Sequence, residues 1–120
     1  MYKPEDIGRL KKEKDVEITN AVNKLYEKYG SVILEDLENL FNIKIIHYNN
    51  EQMSMFLCTD KCPKLLDHSF LFSQKIKNEF FSRLKDNDWI VKKSSGFGGC
   101  SDGMLNGTVH IMSKQDHNKI

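Results

Sequence analysis

Ile43-Lys44-Ile45-Ile46-His47-Tyr48-Asn49-Asn50-Glu51-Gln52-Met53-Ser54-Met55-Phe56-Leu57 is the stretch on which the fold class turns. Residues 43–48 are rich in β-branched and aromatic side chains, Asn49-Asn50 is a turn signal, and Gln52 to Leu57 can return as a second strand. Read this way the stretch is a β-hairpin, and its neighbours on both sides are helical.

Upstream, residues 5–29 carry Ile18, Val22, Leu25 and Tyr29 at spacings of four, three and four, the stripe of an amphipathic helix. Pro4 suits a first helical position, and Gly30 is a natural terminator. Lys11-Lys12-Glu13-Lys14-Asp15 interrupts the stripe and reads as a solvated face. Ser31 can cap a second helix whose apolar side is Ile33, Leu34, Leu37, Leu40 and Phe41, ending near Asn42.

Downstream, Leu66 to Leu84 reads as a third helix with Phe72, Ile76, Phe80 and Leu84 four apart, stopped by Asn87-Asp88. Trp89-Ile90-Val91 and residues 108–112 read as two strands joined by a Gly-rich loop. The expected fold is therefore α+β: one compact domain over 1–112, in the order helix, helix, hairpin, helix, hairpin. Its antiparallel sheet carries helices packed on one face, and residues 113–120 form a polar tail. At 120 residues the chain has room for one hydrophobic core and no second.

The balance of 18 Lys and Arg against 17 Asp and Glu removes any whole-molecule argument for a polyanionic or cationic partner. Its distribution is uneven. Residues 31–60 set Glu35, Asp36, Glu38, Glu51 and Asp60 against Lys44 alone, whereas residues 61–93 carry eight cations and four anions. Without an apolar run of membrane-spanning length or a signal-peptide pattern, the expectation is a cytoplasmic protein with no membrane partner and three reduced cysteines.

No catalytic constellation emerges. Cys100, near Asp102 and His110, has the residue types of an activated thiol, but nothing in their spacing joins them. Cys58 and Cys62 stand at a spacing allowed for a zinc half-site, with Cys100 among the possible further ligands, yet the second close pair of a zinc signature is missing. No cofactor is expected. The glycines of residues 94–107 do not match a phosphate loop or a dinucleotide fingerprint.

What remains is surface contact. The leading expectation is a non-enzymatic macromolecule-binding module, such as a small inhibitor, adaptor or regulator. It would touch a protein partner through Phe97, Met104 and Leu105 of the long loop and through Lys92 and Lys93 beside it. The alternative is a DNA- or RNA-binding regulator using residues 75–93, with Lys75, Lys77, Arg83 and Lys85 on the third helix. Helix, strand, Gly-rich loop and return strand is similar, in order alone, to the end of a winged helix-turn-helix domain.

Overall fold

A single helix of 39 residues, α1 (Ile7–Ile45), takes the place of the two helices and the first hairpin strand expected from the sequence. The computed structural model describes residues 1–64, 68–93, 100–101 and 104–119. After α1 come β1 (Met53–Thr59), α2 (Ser69–Asp86), β2 (Trp89–Lys93), the two-residue β3 (Cys100–Ser101), β4 (Met104–Ser113) and the single-turn α3 (Lys114–His117). The class is α+β, with an antiparallel sheet.

Gly30 does not end α1. It is buried inside the helix, and a Cβ there would meet the Tyr26 ring at 3.2 Å, so the missing side chain makes room for that ring one turn earlier. Residues 43–45 stay helical because Val22, Ile33, Leu34 and Leu37 recur on one side, and burying that stripe outweighs a local strand preference worth a fraction of a kcal/mol per residue. Ile43 and Ile46 pay for this by exposure, at 63% and 76%. The first turns of α1 are mostly exposed, with Arg9 near Asp6 and Glu13 and Lys14 near Glu17 in weak one-turn ion pairs.

β1 pairs with β4, not with residues 43–48. The sheet order is β1-β4-β2, with Met55 opposite Val109, Leu57 opposite Gly107, and Val91 opposite Ile111; β3 pairs with the start of β4. The expected second hairpin is present as β2 and β4, but β4 starts at Met104, so residues 104–107 are strand rather than loop.

α1 and α2 cover one face of the sheet. Phe72, Ile76, Phe80 and Leu84 of α2, as their spacing predicts, are buried with Ile33, Leu34 and Leu37 of α1 and with Met55, Leu57, Leu105, Val109 and Ile111 of the sheet. Trp89 closes one end, edge-on to Phe41 and to Tyr48 at 5.4 and 5.2 Å between ring centres. The segment expected as a polar tail is tied to this end. Ser113 caps α3 by accepting from the Asp116 N–H, the Tyr48 hydroxyl donates to Asp116 Oδ2 at 2.5 Å, and the Ser113 N–H donates to the Tyr48 oxygen.

Candidate binding surface on the uncovered sheet face

The alternation of a strand puts every second side chain on the face away from the helices. On β1 these are Ser54, Phe56 and Cys58; on β4, Asn106, Thr108, His110 and Met112; on β2, Ile90 and Lys92, as their pairing with Met112 and His110 requires. None of these side chains is buried, and Phe56 is 58% exposed. Across the strands the rows are Ser54, His110 and Lys92, then Phe56 and Thr108. Ser54 Oγ and His110 Nδ1 lie 2.9 Å apart in a hydrogen bond.

None of the described side chains on this face is acidic. Toward α3 the face dips into a cavity of about 170 Å3 lined by Gln52, Ile90, Lys92, His110, Met112 and His117. Phe56 on one side and the Met112–Ile90 pair on the other are separated by the polar row of Ser54, His110 and Lys92. Ser54 and His110 make a hydroxyl–imidazole pair, and among the described residues no carboxylate orients it.

The residues singled out by sequence are scattered. Leu105, expected on a contact loop, is wholly buried opposite Thr59, because β4 carries it into the sheet interior. Phe97 and the Met104 side chain lie outside the described residues. Lys92 belongs to the uncovered face; Lys93 projects to the other, with its ammonium 5.3 Å from the Phe81 ring centre.

The basic side of α2 is not a free cationic row. Lys77 is 1% exposed, so it cannot reach a phosphate backbone, and its Nζ donates to the Asn106 carbonyl at 2.6 Å. Burial, with Lys93 nearby, lowers its pKa to about 8. Arg83 Nη1 and Nε reach Glu38 and Glu79 at 2.5 and 3.3 Å, hydrogen bonds that raise the guanidinium pKa further. Lys75 Nζ sits 4.9 Å from the Tyr26 ring centre. Lys85 is exposed.

Cys62 is disulfide-bonded and buried, which corrects the expectation of three reduced thiols and removes its sulfur from a zinc half-site with Cys58. Cys58 is a half-buried free thiol, and the Cys100 side chain lies outside the described residues. Among the described residues no three His, Cys, Asp or Glu side chains gather where a metal ion could be held, and no helix is long and apolar enough to cross a membrane. Disulfides are rare in a reducing cytosol, so the thiols no longer argue for that compartment.

Sequence reasoning passed over Phe56 because Met53-Ser54-Met55-Phe56-Leu57-Cys58-Thr59 is apolar on both phases of the strand. The available signal was the large aromatic standing out of phase with Met55 and Leu57. Compared with known proteins, the chain matches no family model, no curated protein and no solved structure.

Proposed function

We propose that the protein is a non-enzymatic binding module that acts by contact with a protein partner, in the manner of a small inhibitor, adaptor or regulator. The observation that carries this reading is the one-sided covering of the sheet, which leaves Phe56 58% exposed on a face shared with Cys58, Met112 and Ile90. Interface centres are enriched in aromatic residues and methionine and poor in charge, with polar groups at the rim. Phe56 and Met112 supply those residue types on this face, on either side of the polar row of Ser54, His110 and Lys92, and His117 stands at its border. The contact surface so proposed replaces Leu105 and Lys93 by Phe56 and Met112 and keeps Lys92.

A nucleic-acid partner is the weaker reading, since Lys77 is buried and Arg83 is held by two carboxylates. A photo-crosslinking residue in place of Phe56 tests the proposal in the native host. The expected result is a discrete foreign protein captured at position 56 and not from a control at Lys85. Capture of nucleic acid, or equal capture from both positions, overturns it.

A further inference from the structure

β1 is an edge strand, and nothing in its sequence protects that edge. Its only described strand partner is β4, so alternate backbone N–H and C=O groups face away from the sheet along seven residues. Edge strands are commonly blunted by charge or proline. The other edge, β2, follows this rule with Lys92 and Lys93. β1 has no charge, no proline and no glycine.

We propose that the free edge of β1 pairs antiparallel with β1 of a second copy of the chain, with Phe56 on the two-fold axis. The inference goes beyond the contact proposed for the sheet face and does not need it.

The choice of a second copy comes from the sequence around Phe56. A two-fold axis sets each residue opposite the one equally far on the other side of the centre, so a charge on the axis would meet itself. Centring on Phe56 places Ser54 opposite Cys58 and Met55 opposite Leu57, all uncharged. Immediately beyond the strand, Gln52 comes opposite Asp60, an amide against a carboxylate. Glu51 comes opposite Lys61, and these are opposite charges on both sides of the axis. All four flanking residues are exposed, and Lys61, 3.2 Å from Asp36, keeps an acidic neighbour in its own chain. Directly opposed residues of an antiparallel pair share a face, so the two Phe56 rings meet on the uncovered side and both helical layers lie on the other.

Sedimentation equilibrium of the full chain across a concentration series is expected to show a monomer–dimer equilibrium. Phe56→Lys sets two ammonium groups across the axis and is expected to weaken the dimer at least about tenfold, with an unchanged circular dichroism spectrum. Ser54→Cys is expected to give a covalent dimer under mild oxidation, through the introduced thiol and Cys58 of the second copy, since opposed residues lie within disulfide reach. Adding Cys58→Ser should abolish that product. The wild-type chain should not form it, because its two Cys58 residues would be about 13 Å apart along the strands. A mass of one chain at every concentration overturns the inference. So does a dimer that tolerates Phe56→Lys and is not trapped by Ser54→Cys, and if Phe56→Lys fails to fold the trapping result decides alone.

Discussion

Lys77 and Asn106 join the second helix to the central strand: the Lys77 ammonium, 1% exposed, donates a 2.6 Å hydrogen bond to the Asn106 carbonyl. A lysine in this setting holds its proton less tightly than in the unfolded chain, with a pKa near 8 against an ordinary 10.5. Below pH 8 both states are protonated and the cost of burying the charge is fully present. Between pH 8 and 10.5 the unfolded state binds the extra proton, so stability rises with pH.

Lys77→Met removes that term. In denaturant melts at pH 7 and pH 10, the wild-type protein should gain on the order of 1 kcal/mol relative to the variant as pH rises. Parallel curves for the two proteins would mean that Lys77 keeps its ordinary affinity for the proton.

Acid should act through Asp116. Its carboxylate accepts from the Ser113 and Tyr48 hydroxyls, which hold its pKa below 3.8, the first contributing most. A lowered carboxyl pKa gives stability that is present above the unfolded value and lost as pH falls through the folded one. Asp116→Asn should therefore flatten the loss of stability below pH 3.8 and leave Tyr48 and Ser113 with an amide oxygen to meet. An unchanged acid limb would show that the Tyr48 contact is not maintained in solution.

Leu105 and Phe56 should separate in opposite senses. Leu105→Ala empties a wholly buried site and should cost about 2–5 kcal/mol. Phe56→Ala removes a ring more than half in solvent and should cost less than about 1 kcal/mol when the protein is dilute. Similar costs in reversible urea melts would reverse the assignment of inner and outer faces.

Arg83→Ala should change stability by less than about 1 kcal/mol, because its ion pairs with Glu38 and Glu79 are solvent-exposed. It should also leave any residual affinity for a generic DNA duplex unchanged at fixed salt. A drop in that affinity would restore α2 as a phosphate-binding surface.

The parts of the fold legible in the sequence were those whose burial follows one period. Phe72, Ile76, Phe80 and Leu84 form a single column, and the strand signal at Trp89-Ile90-Val91 is bounded by Asn87-Asp88, the latter in the left-handed region with φ 65°. Residues 43–48 misled because local preference and tertiary packing disagree there. Isoleucines that favour a strand in isolation are carried on by a helix already anchored through Leu34 and Leu37. The partner of β1 lies about fifty residues further along in β4, and no turn signal can announce a pairing over that separation. Of the uncovered sheet face, Lys92 was legible as an exposed cation, whereas Phe56 was hidden in an apolar run and Leu105 stood out only because the expected loop extended to 107.

The length of α1 also governs how the molecule diffuses. At a rise of about 1.5 Å per residue its 39 residues span nearly 60 Å, close to the 63 Å long axis of the whole molecule, whose other axes are 30 and 23 Å. The radius of gyration is 17.6 Å, against about 14 Å for a rounded chain of this length. A rod of this shape rotates slowly end over end and leaves a gel-filtration column ahead of spherical standards of equal mass. Elution volume alone would therefore mimic a larger particle, and light scattering or sedimentation is what separates one elongated chain from two.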